Sequence, residues 1–180
     1  MRVFLAIGLP EEIRAALARL QAELTVGRSV PAENLHLTLA FAGEQPDRMV
    51  DEMHLSLQAL HGPAPEICLA GLDTFGEVTP RVIFAGVRRN DDLGELHRRV
   101  RARLYGCGLR LPHERFRPHV TLARFRPGLP QPDQERLGHF LSVHGDFTAA
   151  PFRADRLTLF ESNRGRSGSV YQALADYPLG

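Results

Sequence analysis

The sequence predicts an α/β (α+β) chain folded as two pseudo-symmetric lobes. Three observations predict it. The phrase His-apolar-Thr-Leu-Ala occurs twice, as HLTLAF at 36–41 and HVTLAR at 119–124. Around each copy the order strand, helix, His-x-Thr strand, helix, strand repeats, over about 1–75 and about 81–160. The chain has 180 residues, 43% of them hydrophobic and 24% charged, which suits a single domain, 1–180, with one sizeable core.

The elements follow in order. Arg2 to Ile7 alternates as a strand, with Val3, Leu5 and Ile7 on one face and Phe4 on the other. Pro10, Glu11 and Glu12 open a helix, because proline suits the first turn and acids suit the positive end of the dipole. Ile13, Ala16, Leu17, Leu20 and Leu24 form its apolar stripe. A polar loop from Gly27 to Asn34 leads into the first His-x-Thr strand. A helix over about 47–60 follows, ended by Gly62-Pro63-Ala64-Pro65, and then a strand near 67–75. In the second half, Arg81 to Val87 resembles the opening RVFLAI, 79 residues later. Leu93, Leu96, Val100 and Leu104 mark a helix. The second His-x-Thr strand, a helix over about 133–141 and a strand near 154–160 complete the repeat. A Gly/Ser/Arg loop at 163–169 and a short strand at 170–174 finish the chain.

Composition removes several classes of function. Cys68 and Cys107 are too few for a disulfide framework and read as reduced thiols. Pro10 cuts the initial apolar run short of a secretory signal, and no run approaches a membrane span, so a cytoplasmic monomer is expected. All 22 basic residues are arginine. Lysine adenylation and a Walker-type phosphate loop are therefore excluded. Net charge is only +1, yet residues 98–126 hold nine arginines against one acid, Glu114. That stretch is either a solvated face or a local surface for phosphate.

In a strand the side chains alternate, so His36, Thr38 and Ala40 share one face, as do His119, Thr121 and Ala123. Pseudo-symmetry brings the two faces together across a groove, with the alanines leaving room for a ligand. Two imidazoles supply a base and an acid for a single step. Two threonine hydroxyls suit the non-bridging oxygens of a phosphoryl group. No carboxylate or thiol cluster accompanies them, so neither a metal nor a cofactor is expected. The pattern fits acid–base phosphodiester chemistry. The other six histidines are assigned nothing, since an isolated histidine is ordinarily a satisfied polar residue.

The duplicated HLTL and HVTL resemble the two HxTx motifs of the 2H phosphoesterase superfamily. Within it, RVFLAIGLP, NLHLTLAFAGE at 34–44 and FRPHVTLARF at 116–125 resemble the RNA 2',3'-cyclic phosphodiesterase family, also called 2'-5' RNA ligases. The resemblance implies antiparallel sheets lining a central cleft, with helices outside. It implies hydrolysis of a 2',3'-cyclic phosphate on an RNA end or nucleotide to a 2'-phosphomonoester. His36 would be the proton donor, His119 the proton acceptor, and Thr38 and Thr121 the phosphate-binding hydroxyls; the residues alone do not order donor and acceptor. Arg124 matches a substrate-contacting arginine, although strict alternation puts it on the core side unless the strand twists, bulges or ends. Phe4 is a candidate base-stacking platform, while Phe41 and Phe84 are assigned to the core. The alternatives are reversible 2'-5' end joining, a small-nucleotide cyclic phosphodiesterase, or a non-catalytic RNA-end binder. Dialysis against EDTA is expected to leave turnover of a cyclic-phosphate oligonucleotide intact. Loss restored by Mg²⁺ or Mn²⁺ would contradict the metal-free reading.

Overall fold

The computed structural model describes residues 1–180 except 77, 78, 114, 166 and 167. Glu114 and part of the expected loop at 163–169 thus lie outside the described residues. The strands are β1 (Arg2–Gly8), β2 (Arg28–Ser29), β3 (His36–Glu44), β4 (Glu66–Ile67), β5 (Leu69–Phe75), β6 (Val82–Val87), β7 (His119–Arg124), β8 (Phe152–Arg153), β9 (Arg156–Gly165) and β10 (Gly168–Pro178). The helices are α1 (Glu11–Glu23), α2 (Asp47–Gln58), α3 (Asp91–Gly106) and α4 (Gln131–His144), with a 3₁₀ turn at Ala32–Asn34.

The main sheet is antiparallel in the order β10-β9-β1-β3-β7-β6-β5, and β2 adds to β7. It is two leaves joined at one seam. In the first leaf β1 lies between β3 and β9; in the second β6 lies between β7 and β5. Each half of the sequence therefore gives its last strand to the leaf built around the other half's first strand. The leaves meet where β3 touches β7, through the single register pair Leu37↔Val120. Both side chains are fully buried.

The apolar faces carry the core. Val3, Leu5 and Ile7 of β1 are buried, as are Leu37 and Leu39 of β3 and Val120 and Leu122 of β7. Leu93, Leu96, Val100 and Leu104 of α3 are fully enclosed, as their helical spacing requires. The Asn90 side chain caps this helix by accepting from the Leu93 backbone N–H at 2.8 Å. Helix α3 packs on β3, and α1 packs on β7.

The elements depart from the sequence reading where pairing overrides local pattern. The polar loop 27–34 contains β2 and the 3₁₀ turn. The strand near 67–75 is split, because β4 pairs β8 in a separate ribbon. The expected short terminal strand is the 11-residue β10, which pairs along the whole of β9. Its residues are mostly exposed, the apolar Val170 and Leu174 included, so pairing rather than periodicity defines it.

Both His-x-Thr strands carry a bulge at the same place. Along β1 and β3 the register runs Ala6↔Thr38 and then Leu5↔Ala40, skipping Leu39. Along β6 and β7 it runs Phe84↔Thr121 and then Ile83↔Ala123, skipping Leu122. An extra residue in one strand reverses the alternation beyond it. The bulge in β7 is held from outside. The Leu122 carbonyl accepts from the Val30 N–H at 2.8 Å and from Gln21 Nε2 of α1 at 2.8 Å. The same Nε2 donates to the Val30 carbonyl at 2.8 Å. Gln21 is one of few buried polar residues, and it occupies a position that an apolar stripe would fill with leucine. Gln21→Leu is expected to lower stability by about 1–3 kcal/mol, since it withdraws a donor from buried carbonyls. Urea denaturation monitored by circular dichroism reads this directly, and an unchanged midpoint would contradict it.

Candidate active site

The seam places the four residues of the repeated motif. Leu37 and Val120 turn toward the core, so their neighbours His36 and Thr38, and His119 and Thr121, turn the other way. All four line one cavity of about 460 Å3. Arg124 and Phe4 line it too, as do Phe41, Phe75, Asn34 and Tyr171.

The two histidines are held alike. His36 Nδ1 lies 2.7 Å from the Asn34 carbonyl oxygen. His119 Nδ1 lies 2.7 Å from the Arg117 carbonyl oxygen. A carbonyl only accepts, so Nδ1 carries the proton in each ring. Nε2 is then a lone-pair base in the neutral form and a donor in the charged form. Each imidazole also has two aromatic neighbours. Phe4 lies 4.9 Å from His36 and Tyr171 meets it edge-on at 5.3 Å. Phe84 lies 5.1 Å from His119 and Phe75 meets it edge-on at 4.8 Å. These neighbours come from non-equivalent positions, since Phe84 corresponds in register to Ala6 and Phe4 to Val82.

These surroundings set the charge state. Burial pushes both imidazoles below the ordinary histidine value of 6.5. The carbonyl hydrogen bonds act in the opposite direction. Arg124 and then His119 disfavour protonation at His36; Arg117 and then Arg124 disfavour it at His119. Both imidazoles are thus largely neutral at neutral pH.

The bulges decide which other side chains reach the cavity. After Thr121, Leu122 and Ala123 both go to the core, and Arg124 returns to the cavity face. After Thr38, Leu39 and Ala40 go to the core, and Phe41 returns. Two expectations are corrected here. Neither Ala40 nor Ala123 lines the cavity shared by the histidines and threonines; Ala123 is fully enclosed, and Ala40 lies against an adjoining cavity. Phe41 is not a core residue, being 59% exposed at the cavity rim. Phe84 is enclosed as expected, but its ring also packs on His119. Phe4 lines the cavity as its floor. It is 3% exposed, stacked on Phe160 at 5.3 Å and met edge-on by Tyr171.

Sequence reasoning missed Tyr171, Phe75 and Asn34. Tyr171 lies on β10, where pattern is weak. Asn34 is legible only as the residue two before a histidine. In the fold its carbonyl orients His36, and its side-chain Nδ2 donates to the Ser169 carbonyl at 2.7 Å, tying β10 to the cleft. Among the described residues no group of three or more His, Cys, Asp or Glu side chains is placed to hold a metal ion. Among the described residues, no helix is long and apolar enough to cross a membrane.

A mixed α/β architecture with antiparallel leaves, helices outside and a duplicated His-x-Thr cleft is the fold of the 2H phosphoesterases. The profile of the 2'-5' RNA ligase superfamily matches residues 9–166. The RNA 2',3'-cyclic phosphodiesterase of Thermus thermophilus is 33% identical over 190 residues, covering 99% of this chain and 90% of the relative. That of Thermotoga maritima is 30% identical, covering 97% and 93%. That of Geobacillus stearothermophilus is 30% identical over 98% of this chain, which spans 56% of that relative's length. Escherichia coli LigT in complex with 3'-AMP superposes with a TM-score of 0.77 at 27% identity, covering 99% of this chain and 96% of LigT. LigT has also been solved with ATP and with NADP+. This chain belongs to the 2'-5' RNA ligase superfamily.

The histidine environment makes a signed prediction. Removing the positive charge of Arg124 should raise both imidazole pKa values, because that charge disfavours both imidazolium forms. NMR titration of the ring protons in the wild type and in Arg124→Gln tests this. Both resonances are expected to titrate below 6.5 in the wild type and to move upward together in the variant. A shift at only one ring would show that Arg124 acts on one histidine and not on both.

Proposed function

We propose that this chain hydrolyses the 2',3'-cyclic phosphate of RNA ends to a 2'-phosphomonoester without a metal ion. The observation that carries the reading is the matched pair of histidines on one cavity, each with Nδ1 committed to a carbonyl and Nε2 left for chemistry. The names of the relatives support the same activity, and the nucleotide complexes of LigT support a nucleotide in the cleft.

His119 Nε2 takes a proton from water as the water oxygen attacks phosphorus. The bond from phosphorus to the 3'-oxygen breaks, and His36, charged at Nε2, gives that oxygen its proton. The products are a 2'-phosphate and a free 3'-hydroxyl. The order of donor and acceptor follows the family resemblance, since the two sites are nearly mirror copies. Thr38 and Thr121 donate to the non-bridging oxygens, and Arg124 balances their charge. Phe4 forms an apolar floor beneath the nucleoside. The substrate also supplies negative charge. An anionic phosphate beside two depressed imidazoles favours the charged form, so binding loads the acid. Free Cys68 and Cys107 are consistent with a reducing, cytoplasmic setting.

Each histidine is expected to be essential by itself. His36→Ala and His119→Ala should each lower kcat by about 10²–10⁴-fold, with melting temperature little changed, because both rings line the cavity rather than the core. The wild-type pH profile should be a bell, with kcat peaking at higher pH than kcat/KM because bound phosphate raises the imidazole pKa values. Near-native turnover by either alanine variant would defeat the two-histidine mechanism.

A further inference from the structure

The main cavity is not the end of the cleft. A second cavity of about 480 Å3 shares Thr38, Phe41, Phe75 and His119 with it. Both volumes lie in the range of about 300–1,000 Å3 typical of ligand sites. The walls of the two differ in kind. The second cavity adds three arginines, Arg101, Arg115 and Arg117, and the ring of Phe116.

Arg101, Arg117 and Phe116 are each held by a contact, while Arg115 is an exposed side chain on the wall. Arg101 Nη2 donates to the Pro112 carbonyl at 2.9 Å and to the Tyr105 hydroxyl at 3.2 Å, which lays it along the wall. The Arg117 guanidinium sits 4.8 Å from the centre of the Phe75 ring, beside His119. Phe116 stacks on His97 at 3.9 Å with 8° between planes. Burial, then Arg101 and Arg98, push His97 down to about 4, so this stack stays neutral at working pH. Phe41 stands where the two cavities join, an exposed phenyl ring whose water-facing surface an aromatic ligand would cover. Flat apolar faces beside arginines are the surface that takes single-stranded nucleic acid, with bases on rings and phosphates on guanidinium groups.

Resting on the activity proposed above, we propose that the second cavity binds the nucleotide preceding the cyclic end. The connecting phosphodiester lies against Arg115 and Arg101, and Phe41 stacks a base at the junction. The preferred substrate is then an RNA oligonucleotide rather than a cyclic mononucleotide. Arginines and ring faces carry no code for base edges, so the preference is for length and not for sequence.

The test compares a 2',3'-cyclic mononucleotide with a trinucleotide ending in the same cyclic nucleotide. It uses the wild type, Arg115→Glu and the milder Arg115→Gln. Arg115 is exposed and lies outside the main cavity, so the fold and mononucleotide turnover should be unaffected. The wild type should favour the trinucleotide by about tenfold in kcat/KM, the worth of one charge-assisted phosphate contact. Arg115→Glu should erase most of that advantage and Arg115→Gln part of it. Calorimetric Kd values for the 2'-phosphorylated products of each length should show the same gap. Equal values for both lengths, or equal losses on both in Arg115→Glu, would overturn the subsite. If neither cyclic phosphate is hydrolysed while the gap in Kd persists and collapses in Arg115→Glu, the hydrolytic reading falls and the subsite stands.

Discussion

The contact of Leu37 with Val120 is the constraint on which the cleft depends. It is the one register pair between β3 and β7, and both side chains are enclosed. Were the two strands paired along their length, the leaves would form one continuous surface and the histidines would stand side by side on it. With one pair, the strands diverge at once and a cavity opens between them. Alternation then does the rest. The core-facing pair forces the residues on either side of it, one His and one Thr per strand, onto the cavity wall. Four polar side chains reach one site because two apolar ones are buried together.

The bulges are the second constraint, and they account for what the motif does not. Regular alternation yields a His/Thr wall with two alanines. The extra residues at Leu39 and Leu122 remove the alanines and bring up Phe41 and Arg124. Equivalent positions thus carry different chemistry, an apolar ring from one leaf and a guanidinium from the other. The symmetric fold acquires an asymmetric site through one residue per strand. In the second leaf the distortion is tied to α1 through Gln21, so the placement of Arg124 depends on a helix that never touches the cavity.

Much of this was legible in the sequence. The repeated strand–helix order, the α3 stripe and the two His-x-Thr strands follow from local pattern, and the fold places His36, Thr38, His119 and Thr121 on one wall as alternation requires. What was not legible depends on pairing between distant segments. The exchange of β5 and β9 between leaves leaves no trace in periodicity. A bulge does not show in a strand's own residues, because Leu39-Ala40 and Leu122-Ala123 read equally well as regular alternation. Hence Arg124 was foreseen at the cavity only on condition of such a distortion, and Phe41 was misplaced. Tyr171 and Asn34 reach His36 from β10 and from the 3₁₀ turn, elements whose polar sequences give no period to read.

Arg124 links the geometry to the proposed chemistry. Burial works against protonation of both imidazoles, and the Arg124 cation near them works in the same direction. For a proposed step that needs one charged imidazole this looks counterproductive. It becomes useful once an anion enters. Phosphate oxygens neutralise the guanidinium and add negative charge beside both rings, so the same event that fills the site lifts the penalty on the imidazolium. Water alone does not bring this about, because water carries no charge to offset the guanidinium. In the proposed mechanism, then, burial and the neighbouring arginines disfavour the charged acid and a bound phosphate favours it, which couples proton uptake to recognition of the ligand.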